Sequence, residues 1–168
     1  MPGEGSVTSG IFFVGEAPGK NEDEQGRPFV GLSGKFLDKL IEKAGLSRSE
    51  IFVTGSVKCR PPQNRTPKND ELKICKKNWL SKQIEIIEPR LVVLLGKVAL
   101  NQVLGEEDNL DKIHGQVRQL NSLKCLITFH PAAAMRFPKV RRKMGRDITK
   151  VREIMRNNAA KRHSSTSV

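Results

Sequence analysis

The chain has 168 residues, which fits one domain with a sizeable buried core. Its 30 Lys and Arg residues against 18 Asp and Glu give a formal net charge of +12, which favours nucleic acid over neutral small molecules as the partner. Apolar runs as long as a membrane span and a secretory signal pattern are both missing from the sequence, so we expect a cytoplasmic protein with no membrane partner.

Short apolar runs alternate with segments of helical periodicity along the chain. Residues 11–14, 51–54, 91–95 and 125–128 predict buried parallel strands, because they are apolar without strict alternation. Helical spacing predicts the connecting helices and a last helix over 148–155. The order predicts an α/β fold of three layers, α/β/α, around a central four-stranded parallel sheet.

The polar, basic end of the chain lacks apolar periodicity. We therefore predict one domain over residues 1–156 and a disordered basic tail over 157–168. Solvated charge is the ordinary explanation of a basic tail, but seven further basic residues lie between 58 and 77. The positive charge therefore belongs to the domain as well.

Two short segments follow predicted strands and carry polar side chains. Gly15-Glu16-Ala17-Pro18-Gly19 follows the first strand, and Phe129-His130-Pro131 follows the last. Open α/β sheets bind ligands where parallel strands end, so both segments are expected at one pocket. The first segment lacks the Gly-Lys-Ser/Thr ending of a phosphate-binding loop, and by itself an ordinary strand-to-helix turn explains it equally well.

Longer strings make the chain similar to a known family. Besides the two segments, these are Gly26-Arg27-Pro28-Phe29-Val30-Gly31 and Val57-Lys58-Cys59-Arg60-Pro61-Pro62-Gln63-Asn64-Arg65. In order and spacing they resemble the family 4 uracil-DNA glycosylases, the thermostable type with an iron-sulfur cluster. The resemblance implies a monomeric, monofunctional glycosylase that hydrolyses the N-glycosidic bond of uracil in DNA and initiates base excision repair.

The resemblance also implies roles for single residues. His130 would donate a hydrogen bond to uracil O2, Glu16 would position or activate water, and Phe29 would stack on the flipped base. Gly15 and Ala17 would line the same pocket with their backbone. A second set would contact DNA, through phosphates or by wedging into the duplex: Pro61, Pro62, Arg65, Met135 and Arg136.

The sequence departs from the family pattern at the base-reading position. Gly55 stands where the family has an asparagine that reads the uracil edge. A glycine cannot make that contact, so we expect weakened uracil excision or a pocket that accepts another deaminated base, with Ser56 or water as a poor substitute. The remaining alternative is a DNA-binding module without catalysis, although His130, Phe29 and Glu16 would then serve no purpose.

The second departure concerns the 4Fe-4S cluster that the resemblance implies. Cys59 and Cys75 match two of the family's four cysteine ligands, but the other pair is missing, and two thiolates cannot complete the cluster. We expect either a truncated or misassigned start, or a protein that works without the cluster, or ligands from a partner; the first is favoured because the resemblance begins at residue 2. Cys125 is expected in the core, and His114 and His163 are expected to be solvated.

Overall fold

The computed structural model describes the backbone of residues 1–164 and the side chains of residues 1–157. Within them, six strands form one sheet in the order β1-β3-β2-β4-β6-β5. The strands are β1 (Glu4–Gly5), β2 (Ile11–Gly15), β3 (Phe52–Gly55), β4 (Leu91–Leu95), β5 (Val117–Leu120) and β6 (Leu123–Thr128).

The four inner strands are parallel, as predicted, and the two edge strands are antiparallel. All residues of β2 and β4 are buried, which explains their continuous apolar sequences. The sequence does not predict the edge strands, because β1 has only two residues and β5 is mostly exposed. The α/β class is confirmed, and the central parallel sheet is extended by one strand at each edge.

Helices cover the sheet and connect its strands. Their bounds are α1 (Lys20–Gln25), α2 (Leu32–Lys43), α3 (Asn69–Cys75), α4 (Ser81–Ile87), α5 (Lys97–Leu104), α6 (Leu110–Ile113), α7 (Pro131–Arg136) and α8 (Pro138–Ser164). A π-helical turn, Lys76–Leu80, joins α3 to α4, and 3-10 turns form at Arg48–Glu50 and Pro62–Asn64. Helix α2 buries one apolar face, including Leu37 and Ile41, and ends before Gly45, whose φ of 74° suits a helix end.

Helix α8 differs most from the sequence prediction. It begins at Pro138 rather than at residue 148, and it continues to Ser164, through eight residues predicted to be disordered. Ala, Lys and Arg are strong helix formers, so the end of the helix needs no apolar face. Residues 165–168 of the predicted tail lie outside the described residues.

The sheet carries the core, which is built from its inner strands and the facing sides of α2, α5 and α8. Cys125 is buried there as predicted, and burial raises the pKa of its thiol to about 12. In residues 1–164, the structure contains no helix that is both long and apolar enough to cross a membrane.

Candidate nucleic-acid site

A pocket of about 330 Å³ lies over the carboxyl ends of the inner strands. The loops after β2 and β3 are joined there, because Ser56 and Val57 donate backbone hydrogen bonds to the carbonyls of Gly15 and Glu16 at 2.9 and 3.1 Å. The pocket brings together most of the predicted site residues: Glu16, Ala17, Phe29, Gly55, Pro61, Arg65 and His130. The prediction that the segments after the first and last strands meet at one pocket is therefore confirmed.

His130 begins α7 directly after β6. Its Nδ1 accepts a hydrogen bond from the backbone N–H of Ala132 at 3.2 Å, which leaves the ring's proton on Nε2 when the imidazole is neutral. Burial lowers the pKa of His130 to about 4. The side chain is therefore a neutral hydrogen-bond donor at physiological pH, held with its other nitrogen occupied.

Phe29 lines the pocket in a strained backbone conformation, with a φ of 55°. Its ring centroid lies 6.3 Å from that of His130. Glycines make this placement possible, because a Cβ on Gly15 would lie 2.4 Å from Phe29 Cζ, and one on Gly34 would lie 1.8 Å from the Phe29 carbonyl oxygen. Gly15 thus lies at the Cζ end of the aromatic ring, and its carbonyl accepts hydrogen bonds from the backbone N–H and the hydroxyl of Ser56.

Glu16 is half-buried at the pocket wall, and burial raises the pKa of its carboxyl. Gly55 lies in the same wall, and a Cβ there would be 2.8 Å from the Val57 carbonyl oxygen. Ser56 is fully buried, and its hydroxyl donates to the Gly15 carbonyl at 2.7 Å. The expectation that Ser56 substitutes for a base-reading side chain is therefore wrong, because its proton is already engaged behind the pocket.

The proline-rich loop forms the rim of the pocket. Pro61 is buried against it, whereas Pro62 is exposed at the start of the 3-10 turn and does not line it. Arg65 lines the pocket but forms a bidentate ion pair with Glu71, at 2.6 and 2.8 Å. That pair holds the pKa of the Glu71 carboxyl at about 2 and fixes the guanidinium at the rim.

Met135 and Arg136 lie beside the pocket rather than in it. They line an open groove of about 540 Å³ together with Lys20 and Leu32, and Leu32 is 72% exposed. Glu22, Ser33 and Ala132 line both cavities, so the groove continues from the pocket. The arrangement combines an inner pocket, which contains an aromatic and several hydrogen-bonding groups, with an outer groove, which includes cationic and apolar groups.

The chain is similar to known proteins over most of its length. The family model of the uracil DNA glycosylase superfamily matches residues 2–154. The chain belongs to the uracil-DNA glycosylase superfamily. It is 42% identical to the type-4 uracil-DNA glycosylase of Saccharolobus solfataricus, over 92% of this chain and 76% of that protein. It is 39% identical to the type-4 enzyme of Thermotoga maritima (92% and 82%), and 34% identical to the type-5 enzyme of Thermus thermophilus (62% and 53%).

In this superfamily member, sequence reasoning missed several polar residues that support the pocket. Glu22 is buried and accepts a hydrogen bond from the Gly31 backbone at 2.7 Å, which ties α1 to the Phe29 loop. Lys58 is buried, its Nζ donates to Thr54 Oγ1, the Gly55 carbonyl and Gln83 Oε1, and burial lowers its pKa to about 8. Lys58 belongs to one of the quoted strings and Glu22 lies between two of them, but the burial of these residues carries no sequence signal.

The prediction that His114 is solvated is wrong. Its ring centroid lies 5.0 Å from that of Phe129, and its Nδ1 lies 3.1 Å from Asp147 Oδ2, so it is partly buried rather than solvated. The buried carboxylate, which the sequence does not reveal, explains the difference. The side chain of His163 lies outside the described residues.

The two cysteines proposed as cluster ligands lie away from the pocket. Cys59 is exposed and Cys75 is half-buried at the end of α3. Among the described residues, no group of three or more His, Cys, Asp or Glu side chains is arranged to hold a metal ion. These residues therefore do not by themselves fit a four-iron cluster, which needs four thiolates.

Proposed function

We propose that this protein is a monofunctional uracil-DNA glycosylase that hydrolyses the N-glycosidic bond of uracil in DNA. The observation that carries the proposal is the hydrogen bond from Ala132 to His130 Nδ1, which leaves a neutral Nε2–H donor in a pocket shared with Phe29 and Glu16. A flipped uracil needs an aromatic platform and a donor for the oxygen on which charge collects. Both are present within one cavity.

The proposed reaction uses these residues in turn. As the bond between C1′ and N1 breaks, its electron pair passes to the uracil, and His130 Nε2–H stabilises the negative charge at O2. Glu16, as a carboxylate, accepts a proton from the water whose oxygen bonds to C1′. The uracil anion then takes up a proton, which leaves free uracil and an abasic site.

The position of Lys58 supports hydrolysis rather than lyase chemistry. A bifunctional enzyme forms a Schiff base through a lysine amine that faces C1′. The Lys58 ammonium instead lies behind the pocket wall, bonded to Thr54 at 2.6 Å, Gly55 at 2.9 Å and Gln83 at 2.6 Å. Because its ammonium group is engaged in these three hydrogen bonds, Lys58 has a structural role, and water remains the proposed nucleophile.

DNA is the proposed partner, bound by a monomer along the rim and the outer groove. Arg65, which Glu71 orients at the rim, and amides of the loop that Pro61 and Pro62 stiffen would contact phosphates. Met135 and Arg136 would enter the duplex beside the extruded base. Arg141, in the first turn of α8, donates to the Ala134 and Met135 carbonyls at 3.4 and 3.1 Å. It would therefore brace the wedge rather than grip a phosphate.

A second function, a broader base range, is favoured by Gly55. This residue lines the pocket without a side chain that could read the uracil edge. Hypoxanthine and xanthine are deaminated bases that a roomier pocket would admit, so we propose them as the alternative substrates. Retention of His130 and Phe29 in one pocket argues against a module that binds DNA without catalysis.

The test is excision from matched oligonucleotides that carry uracil, hypoxanthine or xanthine, followed by alkaline cleavage at abasic sites. We expect uracil release by the wild-type protein and its fall to a small residual rate in His130→Ala. Release of another base alone would establish the shifted range, and release of none would overturn the glycosylase proposal. Circular dichroism of His130→Ala confirms that the variant is folded.

Gly55 itself allows a sharper test of base recognition. We expect Gly55→Asn to raise uracil excision relative to Gly55→Ala, because both introduce the Cβ that approaches Val57 and only asparagine adds a donor and an acceptor. Comparison of the two variants on uracil separates recognition from the backbone shift. Equal rates of uracil excision in the two variants would show that an amide at position 55 does not recognise uracil.

We further propose that Cys59 and Cys75 are two thiolate ligands of a 4Fe-4S cluster whose other ligands are not among the described residues. Iron and acid-labile sulfide are measured in protein purified anaerobically from its native cells, so that any thiolates supplied from outside these 168 residues are retained. We expect Cys59→Ser and Cys75→Ser to lose iron and Cys125→Ala, a core change, to keep it. Wild-type protein without iron would contradict this assignment.

A further inference from the structure

We propose that Asp147 is a positioning residue for His130, acting through Thr128 and His114; this inference rests on the proposed function of His130. The three side chains, called here the Asp147 clamp, join α8 to the end of β6. They do not line the pocket, and their effect is on the segment that carries the pocket's histidine.

The clamp is a buried polar cluster with specific partners. The Asp147 side chain is 3% exposed, and its Oδ2 accepts a hydrogen bond from Thr128 Oγ1 at 2.8 Å. His114 Nδ1 lies 3.2 and 3.1 Å from the two carboxylate oxygens, so its N–H donates to them. A buried carboxylate is tolerated only when such donors compensate for its lost hydration, so each partner is constrained by the other two.

The clamp also fixes the backbone on both sides of it. The Thr128 carbonyl accepts from Gly96 N–H at 3.0 Å, and Gly115, directly after His114, donates its N–H to the Ile127 carbonyl at 2.7 Å. A Cβ on Gly115 would lie 2.5 Å from Asp147 Oδ1, so only glycine allows this approach. Thr128 is thus held through its side chain and its main chain together.

The hydrogen bond between Thr128 and Asp147 joins the two ends of the chain segment that lies between these residues. That segment contains His130 two residues after Thr128, then all of α7 with Met135 and Arg136, and the first turns of α8. His114 reinforces the closure by packing its ring on Phe129, the residue that links Thr128 to His130. A change in the clamp therefore displaces His130 before it disturbs the rest of the sheet.

Displacement of a preorganised donor affects the chemical step more than the binding of DNA. A shift of about 1 Å in a catalytic group can cost about a hundred-fold in rate. DNA affinity depends instead on cationic groups at the rim and groove. The clamp is therefore expected to control the single-turnover rate of excision at nearly constant Kd.

The test compares Thr128→Val, which removes the hydroxyl at constant shape, with Thr128→Ser, which keeps it. We expect Thr128→Val to lower the single-turnover rate on uracil-containing DNA by about ten-fold to a hundred-fold, with Kd unchanged, and Thr128→Ser to restore most of the rate. Thr149→Val is the matched control, since within the part of the chain that the structure describes its exposed hydroxyl bonds only along α8, to the Arg146 carbonyl. Asp147→Asn should resemble Thr128→Val.

Non-additivity with His130 separates positioning from general loss of stability. In a His130→Ala background we expect Thr128→Val to cause no further loss, because the group it positions is gone. An unchanged rate in Thr128→Val, or an equal loss in both backgrounds, would overturn the proposal.

A nuclear magnetic resonance measurement keeps the clamp testable if the proposed function fails. In protein with ¹⁵N-labelled histidine, we expect Thr128→Val to shift the ring nitrogens of His130 and Thr149→Val to leave them unchanged. This readout requires no substrate. Wild-type protein that releases none of the three bases would refute the glycosylase activity, whereas unshifted His130 resonances would refute the clamp.

Discussion

At the scale of single residues, His130 and Glu16 differ in how burial changes their charge. Burial lowers the pKa of the histidine to about 4, which keeps it neutral, and raises that of the carboxyl, which favours its protonated form. The donor is therefore ready over a wide pH range, whereas the proposed base is not. The acid limit of activity should belong to Glu16.

This assignment predicts the pH dependence of excision. As pH falls through the raised pKa of Glu16, the carboxylate takes up a proton and the rate declines, at a pH above 4.5, the ordinary value for glutamate. His130 remains neutral until about pH 4, so it adds nothing to this limb. Single-turnover rates measured from neutral pH downward should show this acid limb in the wild type.

Glu16→Gln is the variant that checks the assignment. We expect it to lower the rate at neutral pH by about a hundred-fold or more and to abolish the acid limb, because glutamine does not titrate in this range. If the limb persists unchanged in Glu16→Gln, another group controls it and Glu16 is not the base.

Gly15 provides a test of the strained Phe29 platform. A methyl group at Gly15 would meet the Phe29 ring at 2.4 Å, so Gly15→Ala should displace the ring and lower uracil excision by at least about ten-fold, as loss of base stacking does. Gly145→Ala in α8 is the matched control, since its added Cβ contacts only Leu40, at 3.9 Å. Equal activity of the two variants on uracil DNA would contradict a role for ring placement.

At the scale of secondary-structure elements, α8 joins the core to the site. Val140, Met144, Ile148 and Val151 recur at helical spacing on one face, and the last three are fully buried. The opposite face is basic and exposed. The helix therefore anchors in the core along one side while it carries Asp147 to the end of β6.

The two faces of α8 predict different costs of substitution. Met144→Ala should lower the free energy of unfolding by about 2–5 kcal/mol, because it leaves a cavity against the sheet. Arg142→Ala, on the exposed face, should change it by less than about 0.5 kcal/mol. Urea denaturation measures both, and a similar cost for the two would contradict the orientation of the helix.

The elements also show how far the sequence predicts this molecule. The inner strands are predictable because burial on both faces requires uninterrupted apolar runs such as Leu91–Leu95. The start of α8 was missed although the spacing of Val140 and Met144 continues that of Ile148, because the surrounding residues are so strongly charged. The edge strands were missed because they are short or exposed and depend on pairing with their neighbours.

Prediction of the site divides in the same way, between residues that sequence motifs indicate and residues whose roles depend on tertiary contacts. His130, Phe29 and Glu16 were predicted through strings that resemble a family, and the fold brings them to one pocket. The supporting groups Glu22, Lys58 and Asp147 were not, since charged residues are ordinarily exposed and only tertiary contacts show that these three are buried. Supporting roles thus depend on partners distant in sequence.

At the scale of the whole molecule, the formal net charge of +12 should govern the affinity for DNA. Bound Lys and Arg side chains release condensed counterions, so affinity falls with salt in proportion to the number of phosphates contacted. If net charge alone determined DNA affinity, every exposed arginine would contribute equally to binding. The proposed path of DNA predicts instead that arginines beside the pocket matter most.

Arg136 and Arg152 distinguish these possibilities. Both are exposed, but Arg136 lines the groove beside the pocket, whereas Arg152 lies against Gly45, beyond the end of α2 that is distant from the pocket. We expect Arg136→Ala to weaken binding and to reduce the slope of log K against log salt by about 1, and Arg152→Ala to change neither. Fluorescence anisotropy over a salt series measures both quantities. Equal losses of DNA affinity in the two variants would mean that the charge acts without a preferred face. A defined path of DNA, in contrast, would contact Arg136 and not Arg152.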